Sequence, residues 1–100
     1  MTPHVIRLRG FWTREILPDG RVRLARPFGR PRTLDANETA WIVGTCADGV
    51  ALLNGEPLGG VHAGVPFAFE VTTHLSPRNV IAFEVAGGDA VDVALEIRVG

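Results

Sequence analysis

The stretch LLNGEPLGG, residues 52–60, decides how the rest of the chain is interpreted. Asn54-Gly55 favours a two-residue hairpin turn, because these residue types accept the positive φ angles that such a turn requires. The residues on either side, VALL before the pair and EPL after it, are long enough for one short strand each. The stretch therefore predicts a β-hairpin that turns at Asn54-Gly55, with a point at Gly59-Gly60 where the chain can bend or approach a neighbour closely.

Alternation of apolar and polar residues continues the strand pattern beyond this hairpin. PFAFEV (residues 66–71) and VDVALEIRV (91–99) alternate as strands with one wet side do. In the second of these, one face holds Val91, Val93, Leu95, Ile97 and Val99, and the other holds Asp92, Ala94, Glu96 and Arg98. NVIAFEV (79–85) is more uniformly apolar, and TAWIVGTC (39–46) is β-branched and apolar, which is typical of central strands.

The remaining segments complete an all-β pattern. HVIRLRGFW (residues 4–12) predicts an opening strand, and REILPDGRVRL (14–24) predicts a hairpin around Pro18-Asp19-Gly20. VTTHLSP (71–77) predicts a single helical turn stopped by its proline. Eight or nine short strands at close spacing indicate an all-β fold, an antiparallel β-sandwich or jelly roll.

Composition limits the class of protein. One hundred residues with 46% hydrophobic and 21% charged residues fit one globular domain, which we expect to span residues 1–100. Cys46 is the single cysteine, which rules out an internal disulfide and predicts a small core side chain. No apolar run is long enough to cross a membrane, and the first ten residues do not resemble a signal peptide, so the sequence predicts a cytoplasmic protein without membrane contact.

Charge is distributed unevenly. All ten basic residues are arginine, and the first 32 residues carry a net charge of +6 while the remaining 68 carry −7. Such asymmetry indicates either an anion-binding face or basic and acidic strands that pair across a sheet. The second interpretation is favoured, because the two charges nearly cancel within one compact body. Nucleic acid is not predicted as a partner, since a nucleic-acid-binding face would combine the arginines with exposed aromatic side chains.

Three motifs in order resemble a known domain: RPFGRPRTL (26–34), GVALLNGEPLGG (49–60) and GVPFAFEVTTHLSPRNVIAFEV (64–85). Together they resemble the jelly-roll sugar-binding domain at the front of family 2 glycoside hydrolases such as β-galactosidases and β-glucuronidases. The positions that carry the resemblance are Arg26, Phe28, Pro31, Trp41, Leu53, Asn54, Gly55, Gly59, Pro66, Phe67, Val71, Thr72, Leu75, Asn79 and Ile81. The match covers roughly residues 26–86 and implies a galactose-binding-domain-like β-sandwich.

The resemblance also implies architectural roles. Thr72 is expected to hydrogen-bond backbone amides where the chain leaves a strand, and Leu75 to close the bottom of the sandwich. Asn79 is expected to tolerate an unusual backbone geometry where the next strand starts. Trp41 is expected to be a core aromatic. These roles predict the fold better than the activity.

The residues give no support to catalysis, and the protein is predicted not to be an enzyme. In the family that the chain resembles, the catalytic glutamates belong to a separate barrel domain, and here Glu70, Glu84 and Glu96 fall on outward strand positions. Ser76 is the single serine and stands in no nucleophile motif.

Metal and cofactor binding find equally little support. His4, His62 and His74 lack the spacing of metal ligands, so neither a metal site nor a cofactor is predicted. Asp48 or Asp89 could offer oxygens to a structural calcium ion, although no acidic cluster supports one.

Two functions remain open. The first is a non-catalytic binding module with carbohydrate as its ligand, for which an aromatic platform and nearby polar groups are required. The candidate ligand-binding residues are Arg9, Trp12, His62, His74 and Arg78. The second is an interaction or assembly domain that keeps the fold without binding sugar and uses a sheet face or edge to form a homo-oligomer or to bind a protein partner.

Overall fold

Every regular element in the computed structural model, which describes residues 4–30, 32–87 and 91–99, is a β-strand. The strands are β1 His4–Arg7, β2 Thr13–Ile16, β3 Val22–Gly29, β4 Glu38–Thr45, β5 Gly49–Leu53, β6 Glu56–Val61, β7 Phe67–Glu70, β8 Arg78–Val85 and β9 Asp92–Val99. Their number agrees with the eight or nine strands predicted from the sequence. The described residues contain no helix long and apolar enough to span a membrane.

The strands form two antiparallel sheets that pack face to face. The four-stranded sheet has the order β1-β9-β4-β7, and the five-stranded sheet has the order β2-β3-β8-β5-β6. The largely apolar strand β8 lies in the middle of the five-stranded sheet, as its sequence predicts. The predicted all-β antiparallel sandwich is therefore confirmed.

Strand pairs are nested along the chain. β1 pairs with β9, β3 with β8, β4 with β7 and β5 with β6, while β2 extends the sheet beside β3. Most neighbours in a sheet are thus far apart in sequence. The side chains that share one outer face are set by these long-range registers rather than by local sequence.

The core is built from the inward positions of both sheets. The predicted alternation of β9 is confirmed, because Val93, Leu95 and Ile97 are at most 2% exposed, whereas Val99 lies at the strand end and is 41% exposed. Phe83 of β8 is fully buried; its ring lies 5.4 Å from that of Phe67 and 6.1 Å from that of Trp12, measured between centroids. Cys46 is buried in the same core, as predicted, and burial raises the pKa of its thiol, with a smaller effect from the nearby Asp48.

The Asn54-Gly55 turn has the predicted geometry. The two residues have φ angles of 53° and 84°, which are the positive values that this type of hairpin requires. The Asn54 side chain also accepts a hydrogen bond from Val80 N at 2.8 Å and donates one to Asn79 Oδ1 at 3.1 Å. The hairpin turn is therefore attached to the start of β8 by its own side chain.

The role expected for Asn79 is corrected by the structure. Its φ angle is not positive, so it does not serve as a tolerant backbone position. Its side chain, in a residue only 2% exposed, accepts a hydrogen bond from Ser76 N at 2.8 Å and donates one to Ser76 O at 2.8 Å. An amide suits this position because it can accept from one backbone group of the turn and donate to another, and no strand pairs these groups.

The single helical turn predicted for residues 71–77 is present only as one tight turn at the start of this segment. His74 N donates to Val71 O at 2.9 Å, which makes a tight turn, but the next bonds of a helix do not follow. Ser76 N is bonded to the Asn79 side chain instead of to a carbonyl one helical turn earlier. The expected roles of Thr72 and Leu75 do hold, since Thr72 Oγ1 accepts from Ala40 N at 3.0 Å and Leu75 packs on the core.

Trp41 is not a core aromatic. In β4, Ala40 and Ile42 are fully buried between the sheets, so the alternation of the strand puts Trp41 on the outer face of the four-stranded sheet. The uniformly apolar sequence of β4 gave no indication of which side chains point inward. Pro31, which also carries the resemblance, lies outside the described residues.

Candidate functional site

A groove of about 380 Å³ runs over the outer face of the four-stranded sheet. Its floor consists of small residues: Val43 of β4 lies between Ala94 of β9 and Ala68 of β7 in the strand register, with Gly44 beside it. Because these residues have short side chains, the floor lies lower than the longer side chains around it. The groove results from alternating small and large residues on one sheet face.

Charged side chains form two walls of this groove. At one end, Arg7 Nη1 lies 4.0 Å from Asp92 Oδ1, and both side chains are more than half exposed. At the other end, Arg98 Nε donates to Glu96 Oε1, and these side chains are 38% and 19% exposed. The groove therefore combines an apolar floor with two cations and two carboxylates that solvent or a ligand can reach.

Trp41 extends the second wall. The Arg98 guanidinium lies 4.3 Å from the centroid of the Trp41 ring, in a cation–π contact, and Trp41 Nε1 donates to Thr39 Oγ1 at 2.9 Å. These contacts fix the Arg98 side chain against a rigid aromatic surface. Arg98 is thus the better ordered of the two arginines that face the groove.

Gly44 allows the groove floor to form. It has a φ angle of +152°, and a Cβ atom at this position would overlap the carbonyl oxygen of Asp92 on the neighbouring strand. Only glycine combines this backbone conformation with so close an approach of β4 to β9. The end of the groove that holds Asp92 therefore depends on Gly44.

An ion pair with two parallel hydrogen bonds lies away from the groove, at the start of β4. Arg32 donates two hydrogen bonds of 2.6 Å to the two carboxylate oxygens of Glu38, and Asp35 N donates to the same carboxylate at 2.9 Å. These bonds, with that of Arg32 the largest cause, lower the pKa of Glu38 to about 2. This pair joins the connection between β3 and β4 to the sandwich.

Two of the ligand-binding candidates predicted from the sequence lie in the connection between β1 and β2. Trp12 is half-buried, packs on the core and donates from Nε1 to Leu8 O at 2.9 Å. Arg9 is exposed, and its carbonyl accepts a hydrogen bond of 3.2 Å from Arg26. The Trp12 ring therefore packs on the core beside Phe83 and is only partly available to a ligand.

The other three candidates lie near the ends of the sandwich. His62 follows β6, is exposed, and has Nδ1 at 4.0 Å from Asp48 Oδ1. His74 lies in the turn before β8, where Nδ1 is 3.4 Å from Thr73 Oγ1, and Arg78 begins β8. Since the start of β8 and the end of β6 lie at opposite ends of the five-stranded sheet, the five candidates do not form one site. Their role in ligand binding stays a prediction.

No metal site is formed by the residues that the structure describes, in the sense that no three His, Cys, Asp or Glu side chains come together there. Asp48, one of the two possible calcium ligands, accepts a hydrogen bond from Ala63 N at 2.8 Å, which orders the connection between β6 and β7. Asp89, the other, lies outside the described residues.

The three strand glutamates occupy the outward positions predicted for them. Glu84 lies on the five-stranded sheet, with carboxylate oxygens 3.8 Å from Arg21 and 4.0 Å from Arg23. Glu70 and Glu96 lie on the four-stranded sheet with Trp41 between them in the register. The contacts of Glu84 agree with the interpretation that basic and acidic strands pair across a sheet.

The groove and one exposed aromatic residue were not predicted from the sequence. The alternation of residues 91–99 predicts that Asp92, Glu96 and Arg98 share one solvent-exposed face. Arg7 joins them only because β1 pairs with β9, which no local pattern predicts. Phe11 is 82% exposed with a φ angle of 59°, an unusual conformation for an aromatic residue. The preceding Gly10 was the only sequence signal for an irregular connection at this point.

Comparison with known proteins supports the fold. No family model matches the chain, and no curated protein matches it. Among solved structures, the chain is similar to an FMN-binding beta-glucuronidase from Facaelibacterium prausnitzii L2-6, with a TM-score of 0.78 and 14% sequence identity. The similarity covers 95% of this chain but only 22% of that enzyme. At this identity the similarity shows the fold alone: a β-sandwich of the kind present in that enzyme.

Proposed function

We propose that this protein is a non-catalytic binding module that binds carbohydrate in the groove on the outer face of the four-stranded sheet. The groove itself is the observation that carries the proposal. Its volume of about 380 Å³ lies in the range of small-molecule sites. The nested strand pairing supports the finer prediction that the sandwich is a jelly roll.

The chemistry of the groove matches a sugar ring. The small apolar floor of Val43, Ala68 and Ala94 offers contact to the C–H groups of a pyranose. Carboxylates accept hydrogen bonds from hydroxyl groups, and guanidinium groups donate to ring and hydroxyl oxygens. Arg7 with Asp92 at one end and Arg98 with Glu96 at the other supply both kinds of partner. Charge-assisted hydrogen bonds of this kind are stronger than those between neutral groups.

The groove offers no arrangement for catalysis of glycoside hydrolysis. A retaining enzyme requires two carboxyl groups about 5 Å apart, flanking the scissile bond. Glu96 is bonded to Arg98, and Asp92 lies four residues earlier on the same strand, two positions along the same face. At roughly 3.3 Å per residue, their backbone positions are about 13 Å apart. The arrangement favours binding without chemistry.

Titration of ¹⁵N-labelled protein with sugars tests the proposal. Glucose, galactose, glucuronate and their short oligomers are added while the amide shifts are followed, and glucuronate is included because the similar structure is a β-glucuronidase. We expect saturable shifts at Val43, Ala68 and Ala94. Shifts that cluster at Trp12, His62 or Arg78 would keep carbohydrate binding but move it away from the groove, whereas no saturable shift with any sugar would reject carbohydrate as the ligand.

Matched variants locate the binding site. Asp92→Asn removes a charge from a side chain that is 74% exposed, so the fold should persist while affinity falls about tenfold, the loss expected for one charge-assisted hydrogen bond. Arg23→Ala, on the outer face of the other sheet, is the control and should leave affinity unchanged. Equal effects of the two variants would contradict the groove as the site.

A further inference from the structure

The outer face of the five-stranded sheet is apolar in its centre. In the strand register, Ala25, Ala82, Leu52 and Pro57 follow one another across β3, β8, β5 and β6, and Pro27 lies beside Val80 in the next outward row. We call these six residues the apolar face. A strand with one wet side normally presents polar residues outward, yet here the outward positions between Glu84 and Arg78 of β8 are Val80 and Ala82.

Part of this apolar face is open to solvent. Val80 is 39% exposed, Pro27 and Pro57 are exposed, Ala25 and Leu52 are half-buried, and the small Ala82 between them is 2% exposed. The two sheets bury their inner faces against each other, so the longer side chains of this outer face are in contact with solvent. A contiguous apolar surface of this kind is a common sign of an interface.

The size of the sheet is sufficient for a weak self-association. Its five strands have between four and eight residues, so at about 3.3 Å per residue and about 4.8 Å between strands its outer face measures roughly 500 Å². Two copies would therefore bury roughly 1,000 Å², the size of a small interface. A second copy can thus cover the whole face.

Charges at the two ends of this face are complementary under two-fold symmetry. One end carries Glu15, Asp19 and Glu84 with Arg21 and Arg23, for a net charge of −1. The opposite end carries Arg78, which makes no ion pair with any residue that the structure describes. If two sheets meet with their strands running in opposite directions, Arg78 of each copy faces the acidic end of the other.

We propose that the apolar face is the interface of a symmetric homodimer, in which a second copy of this chain covers it and Arg78 of each copy lies at the Glu15 and Glu84 end of the other. The geometry is isologous, so the assembly closes at two copies. It leaves the groove of the four-stranded sheet open on both outer sides of the dimer. Such a dimer would be bivalent for any ligand of the groove.

The oligomeric state tests the proposal directly. Sedimentation equilibrium from about 1 μM to about 300 μM should give twice the chain mass of 10.7 kDa at the upper concentrations. Val80→Lys should shift the protein to monomer, because it puts a charge in the centre of the apolar face. A monomer at the highest wild-type concentration would overturn the proposal. Sugar titration of that monomer would still report on the groove, so the two proposals can fail separately.

A matched control excludes a general effect of a new charge. Val5 is 43% exposed and lies on the outer face of the other sheet, so Val5→Lys should leave the dimer intact. Both variants should keep the far-ultraviolet circular dichroism of the wild type. A dimer that resists Val80→Lys, or one that dissociates with Val5→Lys, would show that another surface is used and would overturn the proposal.

A second variant tests the orientation of the two copies. Arg78→Glu puts a carboxylate against the acidic end of the second copy, which should raise the dimer dissociation constant at least tenfold. Arg9→Glu makes the same charge change at an exposed residue outside the apolar face and should not alter it. Equal dissociation constants for Arg78→Glu and wild type would overturn the antiparallel arrangement.

Discussion

The two outer faces of the sandwich are built on the same backbone pattern but present opposite chemistry. The four-stranded sheet turns Arg7, Asp92, Glu96 and Arg98 to solvent around a floor of small residues. The five-stranded sheet keeps its charges at the ends and has apolar side chains such as Val80 at its centre. A charged face with a groove suits a small polar ligand, whereas an apolar face without one suits another protein surface. In the two proposals made above, the ligand and the second copy of the chain therefore bind on opposite sides of one small domain.

Each sheet depends on one glycine at which two backbones come very close. A Cβ atom on Gly44 would overlap Asp92 O in the four-stranded sheet, and one on Gly49 would overlap Glu84 O in the five-stranded sheet. Gly44→Ala should be the more harmful, because Gly44 also has a φ angle of +152°. We expect it to lower the free energy of unfolding by roughly 3 kcal/mol, measured by urea denaturation, and Gly49→Ala by roughly 2 kcal/mol.

Gly64 provides the control for this pair. It has a φ angle of +75° but open space around the position of a Cβ atom, so Gly64→Ala should lower the free energy of unfolding by only about 1 kcal/mol. If Gly44→Ala lowers the free energy of unfolding by no more than Gly64→Ala does, then β4 and β9 can move apart to accept a side chain without destabilising the fold. The groove floor would then not be rigid.

Acid should weaken the attachment of β4 to the connection that precedes it. The folded-state pKa of Glu38 is about 2, against an ordinary value of 4.5, mainly because of its bonds to Arg32. The unfolded chain therefore takes up a proton at Glu38 at a higher pH than the folded chain does. The stability from this carboxylate is present in full above pH 4.5 and is lost as the pH falls from 4.5 toward 2.

The comparison of wild type with Glu38→Gln isolates this effect from other carboxylates. Thermal or urea unfolding at several pH values between 5 and 2 should show wild type as the more stable protein at pH 5. The difference between the two proteins should shrink steadily toward pH 2. A difference that stays constant over this range would contradict the lowered pKa of Glu38.

Much of the fold is predictable from the sequence because its signals are local. The Asn54-Gly55 turn and the alternation of residues 91–99 each specify their own geometry. The position of Trp41 is not predictable in this way. TAWIVGTC has apolar side chains on both faces, so its pattern does not show which of them point into the core. Asn79 was singled out by its place in the family resemblance. Its actual role, the hydrogen bonds to Ser76, depends on a turn that only the folded chain forms.

The groove was only half predictable for the same reason. Alternation puts Asp92, Ala94, Glu96 and Arg98 on one face of β9, and this part follows from the sequence. The other residues come from β1, β4 and β7 through pairings that join distant parts of the chain. Residues named one at a time for their chemistry, such as His62 and Arg78, therefore fell at opposite ends of the sandwich.

The contact between Arg98 and Trp41 should have the smallest effect on stability. Arg98→Ala removes a partly exposed cation–π contact and its bond to Glu96, and we expect the free energy of unfolding to fall by about 0.5–1 kcal/mol. The fluorescence of Trp41 should change with the loss of the guanidinium, while Arg98→Lys should restore part of the stability. A decrease of more than about 2 kcal/mol would mean that the Arg98 contacts are needed for the stability of the fold, because exposed ion pairs contribute less than that. A small loss of stability together with weaker sugar binding would show instead that Trp41 holds Arg98 in place for the ligand. The charged face would then serve binding, in contrast to the apolar face, which is proposed to serve self-association.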